Sequence, residues 1–215
     1  MTTLLLVRHG ESEANKSNIF AGCGIDPELT EKGLEQARLY SEYAVKKYKI
    51  DRVYASPMKR AFRTAKACAD LLGIEVTVHN GLREIFAGKW EGMTLKAIFE
   101  EYPEEFEIWV KDISHCRCTD GESVEEMCER FTAALSEIAE KNEGKTVLIG
   151  THYTPVRAMQ AVAVKGSVHA MQGFDHIPNT SITEIFYDNG KWRAGEINVC
   201  HYLNGLVGHI PDDLK

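Results

Sequence analysis

Short apolar runs alternate with amphipathic helical segments along most of this 215-residue chain, and that alternation limits the fold more than any other feature. A strand that stays apolar at successive positions must be covered on both faces, and helices supply the cover. "TLLLVRH" (3–9) is such a strand, and "DRVYAS" (51–56), "IEVTVH" (74–79) and "KTVLIGT" (145–151) follow it. Between them, Thr30 to Tyr48 reads as a helix with Thr30 as N-cap and Leu34, Ala37, Tyr40, Ala44 and Tyr48 along one face. Pro57 opens a second helix that runs through Leu72 and stops at Gly73. Ser123 to Asn142 is a third. "SVEE" gives it a capping box of Ser123 with Glu126, and Val124, Met127, Phe131, Leu135 and Ile138 form its buried stripe. A fourth begins near Pro155, with Thr154 as the expected cap. "TSITEIFYDNGKWRAGEINV" reads as a hairpin turning at Asp188-Asn189-Gly190.

These elements predict a single α/β domain over 1–215, with a mostly parallel sheet and an antiparallel edge. The stretch from about 87 to 121 breaks the alternation and is expected as a helical insertion. Its Trp90 and Trp109 are read as packing residues. The formal charge of −7 argues against a nucleic-acid partner. No apolar run reaches the length of a membrane span, and the first run is too short and too soon broken by Arg8 to be a leader. Cysteines at 23, 68, 116, 118, 128 and 200 are scattered, which predicts reduced thiols and a cytoplasmic protein. "HCRC" (115–118) lacks the second ligand pair of a zinc site, so no metal is expected.

Three of the strands end in unusual company. Arg8 and His9 close the first, Ser56 and Arg60 follow the second, and His152 follows "KTVLI". In open α/β sheets, ligands bind beyond the carboxyl ends of the strands. Two arginines and two histidines therefore converge on one rim, as a cationic cup with imidazoles in it.

"RHGES" with Asn15 behind it, "SPMKRAFRTA", "LREIFAGKWEG" and "THY" before a helix together resemble the histidine phosphatase superfamily. The resemblance is to the branch of cofactor-dependent phosphoglycerate mutases and small phosphatases, and it runs from Leu5 to the late hairpin. It implies a three-layer α/β/α sandwich and phosphoryl transfer through a phosphohistidine, without metal or organic cofactor. It makes His9 the nucleophile, Glu84 the acid and base, and His152 a donor to the transferring group. Arg8, Arg60 and Asn15 match the phosphate-binding positions, and Gly10 would let backbone approach the phosphate. Gly22, Cys23 and Tyr153 fall on the substrate side, Tyr153 standing where many members carry glycine. Glu91 competes with Glu84 and is read as structural or at the rim; Glu11 is secondary. Asn179 is read as a structural turn residue. His79, His115, His169, His176, His201 and His209 receive no role.

The expected partner is a small phosphate ester, and three activities compete. A phosphomonoesterase delivers the phosphoryl group to water. A mutase returns it to another hydroxyl and needs a larger, more basic insertion than one with Lys96, Lys111 and Arg117. A silent phosphate-binding protein on the same fold would not need His9, Arg60, Glu84 and His152 together.

Overall fold

The first apolar run is continuous because both of its sides are covered. In the computed structural model, which describes residues 1–207, β1 (Thr2–Arg8) turns Leu5 and Val7 to one face and Leu4 and Leu6 to the other, all fully buried. Then follow α1 (Glu13–Lys16), α2 (Glu31–Lys47), β2 (Arg52–Ala55), α3 (Lys59–Leu72) and β3 (Val76–Val78). The insertion holds α4 (Leu95–Glu101) and α5 (Pro103–Lys111). The rest is α6 (Val124–Lys141), β4 (Thr146–Thr151), α7 (Tyr153–Lys165) and the hairpin of β5 (Ile182–Asp188) with β6 (Lys191–Ala194). His209 lies outside the described residues.

The strands form one sheet in the order β3-β2-β4-β1-β5-β6. β1, β2, β3 and β4 run parallel, while β5 is antiparallel to β1. Leu5, Val7 and Leu148 pack with Ala37, Tyr40 and Ala44 of α2 and with Ala65, Cys68 and Ala69 of α3. Leu4, Leu6, Val147 and Ile149 pack on the other face with α6 and α7, through Met127, Phe131, Leu135, Val156 and Met159. Those two cores make the three layers. Each fully buried leucine or isoleucine contributes roughly 1.5–3 kcal/mol, which is why the stripe of α6 must face inward. The hairpin turns through Asn189 and Gly190, both at positive φ (47° and 77°), the conformation a two-residue turn between twisted strands requires.

The structure moves several boundaries. β3 keeps only three residues at the sheet edge, and α3 starts at Lys59 with Met58 as its cap. Leu34 is 48% exposed, while Gln36 two positions on is fully buried. Gln36 wins the inner position because its Oε1 accepts the Glu11 amide at 2.8 Å and its Nε2 donates to the Leu206 carbonyl at 2.7 Å. α7 begins at Tyr153 with His152, not Thr154, at the cap. Pro155 then falls in the first turn, where a missing N–H leaves no helix bond unmade. The insertion is continuous with the core: Trp90 contacts Phe20 and Trp109, with ring centroids 5.8 and 5.7 Å apart, and Phe106 flanks them. Phe99, by contrast, is 57% exposed.

Candidate active site

The parallel register of β1 on β4 assembles the centre. Arg8 pairs with Thr151, so His9 and His152 are each the next residue beyond a matched pair. Their rings stand 5.3 Å apart at 63°. The His9 amide donates to the Thr151 carbonyl at 2.9 Å, and its own carbonyl accepts Asn179 Nδ2 at 2.9 Å. Asn179 therefore holds the backbone of His9 from the turn before β5. Arg60, the second residue of α3, lies 1% exposed beneath them.

Hydrogen bonds settle the His9 tautomer. Arg60 Nε donates to His9 Nε2 at 3.3 Å, and a guanidinium has no acceptor. Nε2 is therefore the unprotonated nitrogen, and Nδ1–H donates to the Gly10 carbonyl at 2.7 Å. Burial, then the charges of Arg60 and Arg8, push the pKa of His9 well below the ordinary histidine range. The ring is neutral at physiological pH. Burial and the same arginine depress His152 likewise. His152 Nε2 shares a hydrogen bond with Ser56 Oγ at 2.8 Å, and its Nδ1 is buried with no partner.

Arg8 is anchored on one edge only. Its Nη1 donates to the Ile177 carbonyl and lies 3.3 Å from His176 Nε2, and its plane sits 5.0 Å over the Tyr153 ring. Its Nε is buried and unpartnered. Burial lowers its pKa to about 10, still far above neutrality. Arg60 spends two nitrogens on the carbonyls of Gly22 (2.7 Å) and Ile25 (3.3 Å). Asn15 closes a capping box with Ser12 at the start of α1, and its Oδ1 accepts from Ser12 N and Asn179 Nδ2. Both contacts are to Oδ1, so the amide Nδ2 is left as a donor in the cleft.

Glu84 enters from the loop after β3 and is 8% exposed. Its Oε1 accepts the Ile85 amide at 2.9 Å and its Oε2 the Thr154 amide at 3.3 Å, from the first turn of α7. Burial still raises its pKa above the ordinary carboxyl value, against those bonds and the pull of Arg60. Arg130 on α6 fixes the segment by donating to the carbonyls of Gly81, Arg83 and Glu84 while paired with Glu122 at 2.9 Å. Nothing in its spacing marks Arg130 as part of a site; only the fold brings it there.

A model of the histidine phosphatase superfamily, branch 1, matches residues 4–199. The chain belongs to the histidine phosphatase superfamily. Phosphoserine phosphatase 1 of Hydrogenobacter thermophilus is 35% identical over 202 residues, 94% of each chain. Among solved structures, Bacillus stearothermophilus YhfR superposes with a TM-score of 0.88 at 28% identity, covering 94% of this chain and all (100%) of that one. A phosphoserine phosphatase variant from Entamoeba histolytica, solved with phosphoserine, superposes at 0.81 with 26% identity, covering 94% and 100%.

Against the superfamily pattern, the remaining candidates separate. A cleft of about 660 Å³ opens over the centre, lined by Arg8, His9, Asn15, Gly22, Arg60, Glu84 and Tyr153 among others. His152 is not on that lining but is fully buried, its ring 5.3 Å from that of His9. Cys23 is not on the lining, and its amide donates to Glu91 Oε1 at 3.0 Å. Glu91 is structural, because the same Oε1 also accepts the amides of Gly24 and Ala87. Glu11 is paired to Lys32 at 3.0 Å. Gly10 is closely packed against the start of α2, where a Cβ would stand 2.5 Å from the Gly33 carbonyl oxygen. His176, given no role from sequence, lines the cleft beside Arg8. It lies in a stretch without helical or strand periodicity, so no pattern singles it out. Among the described residues no group of three His, Cys, Asp or Glu side chains is placed to hold a metal ion. Cys116 and Cys118 are buried in the core, and His115 stacks on His169.

Proposed function

We propose that this chain is a phosphomonoesterase that passes the phosphoryl group of a small phosphate ester through His9 to water. One observation carries the reading. Two buried guanidiniums face a neutral imidazole with little carboxylate to balance them: among the described residues Arg8 has no carboxylate ion pair, Arg60 has only a long one to the partly exposed Asp26 at 3.8 Å, and burial shifts Glu84 toward its protonated form. The buried Arg8 Nε and His152 Nδ1, both unpartnered, are what an incoming anion would satisfy.

In the first step the His9 Nε2 lone pair attacks phosphorus as the ester P–O bond breaks. Glu84 gives its proton to the departing alkoxide. Arg60 turns its Nε–H from His9 to a phosphoryl oxygen, and Arg8, Asn15 and His152 complete the donors around the transferring group. In the second step the Glu84 carboxylate takes a proton from water, the water oxygen bonds to phosphorus, and the P–N bond breaks. Inorganic phosphate leaves and Glu84 is again protonated. Because the guanidiniums supply the positive charge, this route calls for no metal.

The relatives named phosphoserine phosphatase support small phosphate esters as substrates. Hydrolysis is favoured over mutase chemistry by the insertion. Lys96, Lys111 and Arg117 pair at the surface with Glu100, Glu107 and Glu126, and none of the three lines the cleft. A reducing compartment such as the cytoplasm suits the six free thiols. The test is phosphate release from 4-nitrophenyl phosphate and O-phosphoserine in the presence of chelator. Turnover is expected, together with an acid-labile, base-stable phosphoenzyme. His9→Ala should abolish both; full activity in that variant excludes His9 as the nucleophile.

A further inference from the structure

The phosphate cup occupies one part of the cleft. The adjoining wall carries Arg157, Asp175 and His176, to which the reaction above gives no work. Arg157 lies four residues beyond Tyr153 on α7, so the two share a helix face about 6 Å apart along the axis. Its Nη2 donates to the Phe174 carbonyl at 2.9 Å, which fixes the guanidinium against the 173–176 segment. Its Nε is buried without a partner, and among the described residues Nη1 donates to nothing. Asp175, on the same wall, forms no ion pair with it among the described residues.

His176 adds a second unused donor. Its Nε2 lies 3.3 Å from Arg8 Nη1, and a guanidinium can only donate. The ring proton is therefore on Nδ1, which has no partner among the described residues. Burial, then the charges of Arg8 and Arg157, hold the ring neutral with a pKa of about 4. Lys16 faces the same cleft from α1, and the charge of Glu11 is already taken by Lys32. Beside the phosphate cup there is thus a wall with a guanidinium edge and an imidazole N–H, both unoccupied.

We propose that Arg157 and the Nδ1–H of His176 form a carboxylate subsite for the alcohol half of the substrate. The preferred substrates are then phosphomonoesters of small hydroxy acids and hydroxy amino acids. This rests on the phosphomonoesterase reading. A carboxylate there would take a charge-assisted bond from Arg157 and a neutral one from His176. It would also fix the distance between phosphorus and the far end of the substrate, so an ester without the carboxylate would bind in many poses.

O-phosphoserine and phosphoethanolamine differ only by the carboxylate, so the ratio of their kcat/KM values reads the subsite directly. The wild-type protein should favour phosphoserine by about 10- to 100-fold, the range of one charged hydrogen-bonded contact. In Arg157→Met the ratio should collapse to about threefold or less, and Arg157→Lys should keep part of it, having the charge without the fork. A merely structural role for Arg157, holding the Phe174 carbonyl, would slow both esters alike and leave the ratio unchanged. An unchanged ratio in Arg157→Met, or no wild-type preference, overturns the subsite and leaves the phosphatase reading standing. Should Arg157→Met fail to fold, the wild-type ratio and Arg157→Lys still decide. No turnover of any ester, 4-nitrophenyl phosphate included, overturns the phosphatase reading itself and the subsite with it.

Discussion

Burial acts on His9 and Glu84 in opposite directions, lowering the pKa of the imidazole and raising that of the carboxyl. The imidazole loses its proton more readily and the carboxyl holds its proton more tightly, which are the states a nucleophile and a general acid need. Glu84→Gln keeps the shape and removes the proton. It should slow alkyl phosphates by about 10²-fold while sparing aryl phosphates, whose leaving groups depart without help. For the unmodified protein, alkyl-ester turnover should decline as pH rises through the elevated Glu84 pKa, with a flatter profile for the aryl ester. Equal slowing of both esters by Glu84→Gln would assign the acid elsewhere. Arg8, His9, Arg60, Glu84 and His152 were legible because each sits in a short local motif or just past a strand. Arg130, Arg157 and His176 were not, since what brings them to the cleft is the packing of α6, α7 and the 168–176 segment. The fault with Thr154 was one of emphasis: its backbone amide, which donates to Glu84, matters where a capping side chain was expected.

At the scale of elements, the loop that carries His9 is set by a glycine-to-glycine contact at the start of α2. A Cβ on Gly33 would lie 2.0 Å from the Glu11 carbonyl oxygen, and one on Gly10 would meet Gly33 in turn. Backbone on both sides leaves no flexible side chain to yield. Gly33→Ala should therefore lower Tm by roughly 4–10 °C and reduce kcat, because relief requires moving the chain next to His9. Gly173→Ala, with open space around the added methyl and no positive φ, should leave Tm within about 1–2 °C. Equal shifts in the two variants, read by thermal denaturation, would remove the contact as the cause. The elements themselves were largely legible: the capping box and stripe of α6 follow from local spacing, and all five stripe residues are buried. Leu34 misled because periodicity assigns the inner face to apolar residues. Here Gln36 satisfies two backbone groups from distant loops, and that requirement is invisible until those loops are placed.

Over the whole molecule, a chain with a formal charge of −7 brings two buried arginines, Arg8 and Arg60, to one rim because the strand order puts β2, β4 and β1 side by side. Their carboxyl ends deliver Arg60, His152 and then Arg8 with His9, each from a different part of the sequence. Enclosing two histidines this way ties folding to pH. Both have depressed native pKa values, so each takes up a proton on unfolding once pH is below about 6.5, the unfolded value. Their contribution to stability is complete above that pH and is lost as pH falls toward the native values. Glu84 has the opposite sign. Its raised pKa gives a contribution complete below about 4.5 and lost as pH rises through the native value, so unfolding releases its proton in between. Near pH 5.5, unfolding should therefore take up about two protons from the histidines, less up to one released by Glu84. Denaturant unfolding followed from pH 7 to 5 should show stability falling with acid. His9→Asn should make that slope shallower and Glu84→Gln should make it steeper. Parallel slopes in all three proteins would mean that the buried centre is not what couples this fold to pH.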